Sequence, residues 1–278
     1  MTRSNTPVDA RRLPQRIRHE LRFRRLSVLA TRQPTPDMIR ITVGGADLAG
    51  FASAGFDDHV KLFFPDEATG ELRLPTAGPD GPVWPDGPRP VVRDYTPLAY
   101  DAEAGTLELA FALHEAGPAT RWARQARPGD LLGVGGPRGS FVLPLAFDGY
   151  VLIGDDTALP AIERRLAELP EGAPVRVIAE VDGPAAQQTF ASRAAVVWQW
   201  VHRNGQPAQD ASRLLAAVAS AEAAWPAGDV HVWIAGESTV SKALRAHFVG
   251  ERGQPSAWIK ASGYWRAGAA GAHDEHGD

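Results

Sequence analysis

The apolar pattern of this chain changes near Pro144, and that change limits the folds it can adopt. Before it, short segments alternate, as in residues 106–114, where every second position carries leucine or phenylalanine. After it, apolar runs alternate with helical segments, as in residues 150–153 and the helix predicted over 158–169. Short antiparallel strands predict a β-barrel, whereas repeated strand–helix units predict a parallel sheet with ligands at the carboxyl ends of its strands.

The sequence therefore predicts two domains behind an N-terminal arm. We expect residues 22–146 to form an antiparallel β-barrel and residues 147–278 to form an α/β domain with a C-terminal extension. Residues 1–21 are rich in arginine but lack the apolar core of a signal peptide, so we expect a flexible basic arm. Because no run approaches the ~20 apolar residues that span a bilayer, we expect a cytoplasmic protein.

The composition argues against several classes of function. The 278 residues include no cysteine, which rules out disulfides, thiolate metal sites and cysteine nucleophiles. A formal net charge of -4 argues against nucleic-acid binding by bulk charge. The serines lack the context of a nucleophile elbow, so no nucleophile–base pair is predicted. We expect a monomer with no resident metal ion.

Residues 93–96 (Arg-Asp-Tyr-Thr) are the strongest candidate binding segment. They follow the apolar pair Val91-Val92 and precede Pro97, which has no amide hydrogen and therefore predicts a strand end. An arginine can clamp pyrophosphate oxygens in fork geometry, a tyrosine ring can pack on an isoalloxazine, and a threonine can reach its N5 edge. This chemistry suits a flavin dinucleotide, although the four residues alone also fit an ordinary barrel strand.

Two nearby segments are further candidates for binding the same ligand. His114 ends the alternating strand on its non-core face, where it is either a groove residue or an exposed bystander. Residues 117–120 lead into a helix predicted over 121–126, and free amides at a helix start suit a phosphate. The glycines of residues 133–139 are not a dinucleotide fingerprint, because the third is out of register and a strand follows.

The carboxyl ends of the predicted parallel strands mark a second site. Residues 154–157 follow the first of these strands, and Gly236-Glu237 follow the fourth. Glu180 ends the second strand, where an acidic side chain favours a ribose 2′-hydroxyl and hence NADH. Arg193 or Arg203 would equally suit the 2′-phosphate of NADPH, so the choice of nucleotide stays open.

A series of short motifs covers nearly the whole chain in a specific order and spacing. They are His59-Val60-Lys61-Leu62, Arg93-Asp94-Tyr95-Thr96, Gly117-Pro118-Ala119-Thr120-Arg121-Trp122-Ala123, Pro128-Gly129-Asp130, Gly135-Gly136-Pro137-Arg138-Gly139-Ser140, Gly154-Asp155-Asp156-Thr157-Ala158-Leu159-Pro160-Ala161-Ile162, Trp233-Ile234-Ala235-Gly236-Glu237 and Gly263-Tyr264-Trp265-Arg266. Together they resemble the siderophore-interacting protein family, which are flavin-dependent ferric-siderophore reductases related to ferredoxin-NADP reductases.

The resemblance implies FAD in the first domain and a nicotinamide nucleotide in the second. The residues expected to surround FAD are Arg93, Asp94, Tyr95, Thr96, His114, Gly117, Ala119, Thr120 and Ala123. Those expected at the nicotinamide nucleotide are Asp155, Thr157, Gly236 and Glu237, joined by Glu180 from its place at a strand end. Trp265 is expected either to stack near the flavin or to pin the C-terminus.

The resemblance also implies a basic cluster that holds an anionic ferric siderophore, and we assign Lys61, Arg138 and Arg266 to it. The predicted reaction passes a hydride from NADH or NADPH to FAD, and single electrons from FAD to Fe(III). Two alternatives remain. One is a flavin reductase that serves a protein partner such as a ferredoxin, and the other is a non-catalytic flavoprotein that binds siderophores.

Overall fold

The computed structural model describes residues 10–79, 81–113, 117–221 and 224–268, which form two large sheets. The strands are β1 (Gln15–Arg18), β2 (Phe23–Thr35), β3 (Met38–Gly44), β4 (Val60–Phe63), β5 (Thr76–Gly78), β6 (Gly81–Val83), β7 (Val92–Tyr95), β8 (Pro97–Asp101), β9 (Thr106–Ala112), β10 (Leu131–Gly135), β11 (Gly139–Val142), β12 (Gly149–Gly154), β13 (Pro174–Val181), β14 (Ala195–His202), β15 (Val230–Glu237) and β16 (Ile259–Trp265). The helices are α1 (Pro118–Gln125), α2 (Leu159–Glu168), α3 (Ser212–Ser220) and α4 (Ser238–Gly250). Within these ranges, no helix combines the length and the apolarity of a membrane span.

The first sheet is antiparallel and has the strand order β7-β4-β10-β2-β3-β9-β8. Leu107, Leu109 and Phe111 of β9 point into its core with no exposed surface, as the period-two pattern predicts. β7 and β8 lie at opposite ends of this sheet, yet only Thr96 separates them along the chain. The sheet must therefore curl until its ends are adjacent, which confirms the predicted barrel. Pro97 opens β8, which confirms the predicted strand end.

Residues 10–18 are held against the rest of the protein. β1 pairs antiparallel with β11, and Arg18 lies opposite Gly139. Arg12 donates from Nε to the carbonyl of Ala146 at 3.1 Å and forms an ion pair with Asp229. The prediction of a flexible arm over residues 1–21 is therefore wrong for residues 10–18, because strand pairing and a domain-bridging arginine fix them. Residues 1–9 lie outside the described ranges.

The second sheet is parallel and has the strand order β14-β13-β12-β15-β16, which confirms the predicted α/β domain. Helix α2 packs on one face, and α3 and α4 pack on the other. The strand β16 was not predicted, because its side chains are mostly half-buried and its apolar residues follow no period of two. It pairs in parallel with β15, the strand that precedes α4, and forms one edge of the sheet. The boundary at residues 146 and 147 stays a prediction.

Polar contacts join the two domains close to the 93–96 segment. Arg164 of α2 donates to the carbonyl of Pro97 at 2.8 Å. Asp57 accepts a hydrogen bond from Trp233 Nε1 of β15 at 2.9 Å and pairs with Lys260 Nζ of β16 at 2.6 Å. The end of β7 is therefore fixed relative to the second sheet.

Candidate functional site

The 93–96 segment lies on the edge strand β7, which pairs with β4. Arg93 and Tyr95 alternate onto one face of this strand, and Asp94 lies on the other. Arg93 is half-buried, and its Nη1 donates to the carbonyl of Val92 at 2.7 Å. The Tyr95 ring packs against Phe111 with centroids 4.5 Å apart, and burial raises the pKa of its hydroxyl. The barrel core thus supports the side of β7 that carries Arg93 and Tyr95.

Asp94 does not share that face. It lies directly opposite Lys61 on β4, and Lys61 Nζ is 3.0 and 3.3 Å from its two carboxylate oxygens. Asp94 was predicted to contact FAD together with its neighbours, and that contact stays a prediction. The structure shows its side chain on the opposite face of β7 from Arg93 and Tyr95, in an ion pair with Lys61.

Helix α1 follows Gly117, which is its N-cap residue. The side chains of Ala119 and Ala123 are buried in the barrel core, so they do not line a ligand surface as the sequence analysis expected. Thr120 is also buried. What remains for a ligand is the backbone at the helix start, and a Cβ added at Gly117 would meet no atom of the other described residues within 4 Å. His114 lies outside the described residues.

A cleft of about 1150 Å³ opens beside α1. Its walls are formed in part by α1 and by the residues before β7. They include Arg89, Val91, Pro118, Arg121, Trp122 and Gln125. A dinucleotide held by Arg93 would reach this cleft with its other end, because Val91 precedes Arg93 on the same edge. Four features therefore fit FAD: the guanidinium of Arg93, the ring of Tyr95, the backbone at Gly117 and the cleft beside α1.

The strand ends of the second domain meet at Asp155. Its Oδ1 accepts hydrogen bonds from the amide and the hydroxyl of Thr157, at 2.9 and 2.6 Å. Its Oδ2 accepts from the Glu237 amide at 2.9 Å and from Trp265 Nε1 at 2.8 Å. Asp155 and Thr157 were predicted to contact a nucleotide, but the Asp155 carboxylate instead ties three chain segments together. An Asp-x-Thr turn signal was present in the sequence.

Gly236 and Glu237 complete this junction. Gly236 has a φ of 148°, and a side chain there would lie 2.7 Å from the carboxylate of Asp155, so only glycine fits. Glu237 is 2% exposed and its carboxylate accepts from the amides of Thr239 and Val240, at 2.6 and 3.1 Å. Its predicted contact with a nucleotide is not supported, because the carboxylate caps α4. An acidic residue just before a helix is a readable capping signal.

Glu180 is held by arginines. Its side chain is 3% exposed, and it pairs with Arg213 at 2.8 Å and with Arg203 at 3.7 Å. Burial raises the pKa of Glu180. The structure therefore does not support Glu180 as an acceptor for a ribose hydroxyl, because it leaves almost no open surface on the carboxylate. Arg213 was missed from the sequence, since it lies on a helix far along the chain.

Arg203 also pairs with Asp156. Burial raises the pKa of Asp156 to about 7, although the positive charge of Arg203 opposes this shift. Both line a cavity of about 190 Å³, together with Asp155, Thr157, Trp265 and Ala267. Of the two arginines proposed for a 2′-phosphate, Arg203 lines this cavity, whereas Arg193 is exposed and is not among its lining residues. The cavity lies at the carboxyl ends of β12, β14 and β16, where the strand pattern predicts a ligand.

The two candidate regions meet through Tyr264. This residue precedes Trp265 on β16, and its hydroxyl lies beside Thr96 at the end of β7. Burial raises the pKa of that hydroxyl. Tyr264 carried no role in the sequence analysis, because only the unpredicted strand β16 brings it to the barrel.

The predicted basic cluster is spread over three segments. Lys61 lies opposite Gly135 of β10, which leads directly to the exposed Arg138. Arg266 is exposed and follows Trp265, two residues after Tyr264. Strand pairing thus brings Lys61 near the loop of Arg138, and the place of Arg266 in the same cluster stays a prediction.

Comparison with known proteins identifies the family. A model described as "Siderophore-interacting protein" matches residues 147–268, and one described as "Siderophore-interacting FAD-binding domain" matches residues 27–141. The NADPH-dependent ferric-chelate reductase of Escherichia coli is 41% identical over 267 residues, which are 95% of this chain and 99% of that protein. Ferric vibriobactin reductase ViuB of Vibrio cholerae is 31% identical over 246 residues, which are 88% of this chain and 90% of that protein.

A solved structure is similar over both domains. A siderophore utilization protein from T. fusca has a TM-score of 0.86 and 39% identity, and the match covers 95% of this chain and 100% of that chain. The resemblance inferred from the motifs is thereby confirmed. The chain belongs to the siderophore-interacting protein family.

Proposed function

We propose that this protein uses NADPH and FAD to reduce ferric siderophores and so release Fe(II). The observation that carries the proposal is the hydrogen bond of 2.8 Å from Arg164 to the carbonyl of Pro97, which fixes the candidate flavin strand against the domain whose cavity is lined by Trp265. It joins a surface that fits a flavin to a cavity at parallel strand ends. The names of the Escherichia coli and Vibrio cholerae relatives support this reaction, and the first supports NADPH as the donor.

The barrel side would hold FAD. When bound, FAD converts the hydride of NADPH into single electrons for Fe(III). The guanidinium of Arg93 and the first amides of α1 are suited to the pyrophosphate, since both present N–H donors. Tyr95 would support the isoalloxazine with a ring that the core already orients. The cleft beside α1 would take the adenosine end.

The second domain would receive the nicotinamide nucleotide in the cavity that contains Arg203 and Trp265. Asp155 acts as a positioning residue, because it holds Trp265 and the Glu237 amide at the wall of this cavity. Arg203 is the cation suited to a phosphate of the nucleotide. Glu237 supports the same wall from α4.

Lys61, Arg138 and Arg266 would attract an anionic ferric chelate despite the negative net charge of the protein. Electron transfer requires no side chain to act as acid or base, which agrees with the lack of a nucleophile–base pair. We infer a monomer that acts in the cytoplasm, where NADPH is available. A ferredoxin is the competing electron partner, and the following experiment separates the two.

The test is anaerobic mixing of the photoreduced, FAD-loaded protein with ferric siderophores of several chemical classes, followed by flavin absorption. Rapid reoxidation is the expected result. Arg266→Ala should slow it roughly 3- to 10-fold at low salt, because one nearby cation is lost. Arg32→Ala is the matched control, since Arg32 is an exposed barrel arginine paired with Glu108.

A flavin that stays reduced with every chelate would overturn the proposal. Reoxidation by an oxidised ferredoxin in the same assay would then favour the protein partner. Equal slowing by Arg266→Ala and Arg32→Ala would remove Arg266 from the substrate site.

A further inference from the structure

Asp94 compensates the charge of one of the three candidate substrate cations. Lys61 and Asp94 are directly opposite on β4 and β7, and the ammonium contacts both carboxylate oxygens at 3.0 and 3.3 Å. The Lys61 side chain is 46% exposed, whereas that of Asp94 is 11% exposed. The carboxylate is thus fixed against the strand, and the ammonium lies between it and solvent.

The other two candidate cations differ from Lys61. Arg138 and Arg266 are both exposed, and within the described ranges no ion pair involves either of them. Among the described residues, therefore, Arg138 and Arg266 have no carboxylate partner, whereas the charge of Lys61 is balanced by Asp94. The pairing also lies on the opposite face of β7 from Arg93 and Tyr95, so it is separate from the surface that fits FAD.

We propose that Asp94 is a specificity-determining residue that, by balancing Lys61, weakens the preference of the site for highly anionic ferric chelates over neutral ones. This inference rests on the proposed function. Its physical basis is Coulombic: while the carboxylate holds and neutralises the Lys61 ammonium, that ammonium adds little attraction for a triply anionic ferric tris-catecholate, and a neutral ferric tris-hydroxamate is little affected in either case. Arg138 and Arg266 still attract anions, so the substrates that the site suits are weakly anionic ferric chelates.

The decisive variant is Asp94→Asn, which keeps the shape and one oxygen acceptor but removes the charge. A partly exposed ion pair contributes little to stability, so the variant should fold as the parent does. The matched control is Glu103→Gln, which removes one negative charge at an exposed position in the β8–β9 turn.

Two readouts are needed. The first is binding of each chelate to the oxidised, FAD-loaded protein, measured by quenching of tryptophan fluorescence. The second is the reoxidation rate of the photoreduced protein as a function of chelate concentration. Both are measured with a triply anionic ferric tris-catecholate and a neutral ferric tris-hydroxamate, at low and at high salt.

We expect Asp94→Asn to tighten binding of the anionic chelate roughly 3- to 10-fold at low salt, and less at high salt because ions screen the charge. Binding of the neutral chelate should change less than about two-fold. The reoxidation rate at low chelate concentration should rise for the anionic chelate and change little for the neutral one, since Asp94 acts on binding. An equal effect on both chelates, or an effect equal to that of Glu103→Gln, would overturn the inference.

The Lys61→Gln background shows whether Asp94 acts through Lys61. If it does, Asp94→Asn should have a smaller effect there than in the parent protein. An undiminished effect would show that Asp94 acts independently, against the proposed pairing. Failure of the parent protein to reoxidise with either chelate would refute the proposed function, whereas the binding comparison would still decide the role of Asp94.

Discussion

At the scale of single residues, several side chains predicted to contact a cofactor form hydrogen bonds within the chain. Asp155 accepts four hydrogen bonds from protein donors, and the carboxylate of Glu237 caps a helix. Family motifs mark positions that matter, but a motif does not say whether a side chain binds a ligand or its own backbone. Buried carboxylates need donors, and here the chain supplies them.

His231 illustrates a residue whose environment predicts a measurable pH dependence. It is 4% exposed on β15, and burial lowers its pKa to about 3. The unfolded chain binds a proton near pH 6.5, so the stability from neutral His231 is complete above that pH and is lost as pH falls towards 3. We expect the free energy of unfolding to fall by about 2 kcal/mol between pH 7 and pH 5 from this residue.

Urea unfolding of the FAD-loaded protein at several pH values would measure this slope. His231→Gln should flatten it, whereas His202→Gln, on the half-buried edge strand β14, should not. Parallel pH profiles for the parent protein and His231→Gln would contradict the assignment.

At the scale of elements, helix α4 depends on the acidic residue that precedes it. The Glu237 carboxylate satisfies two free amides of its first turn, at 2.6 and 3.1 Å. We expect Glu237→Ala to cost about 1 to 2 kcal/mol of unfolding free energy, since the amides lose a charged acceptor at the positive end of the helix dipole.

Thermal and urea unfolding would test this, with Glu251→Ala as the control at the opposite end of the same helix. Glu251 has a side chain 76% exposed and pairs with His247, so its loss should cost under about 0.5 kcal/mol. Similar losses for the two variants would show that the cap does not stabilise α4.

At the scale of the whole molecule, Asp57 links the barrel to the parallel sheet. Its carboxylate is bonded to Trp233 and to Lys260, and its side chain is 2% exposed. Asp57→Ala would leave a buried indole N–H and a partly buried ammonium without their acceptor, at a cost of about 2 to 3 kcal/mol.

The change should also loosen the junction at Thr96 and Tyr264, and proteolysis between the domains should become faster. Glu20→Ala, which removes an exposed carboxylate paired with Arg22, is the control. Unchanged stability and unchanged proteolysis in Asp57→Ala would show that other contacts are sufficient to hold the domains together.

The sequence alone determined the two-domain plan, because apolar periodicity is a local property. Segments with a period of two predicted the barrel strands, and alternating strands and helices predicted the parallel sheet. Ordered motifs also determined the family. The tertiary structure decided what depends on contacts between distant residues. It pairs Asp94 with Lys61, places Glu180 between two arginines and places Tyr264 beside Thr96. None of these pairs leaves a local signal, since strand pairing, sheet order and burial arise only when the chain is folded.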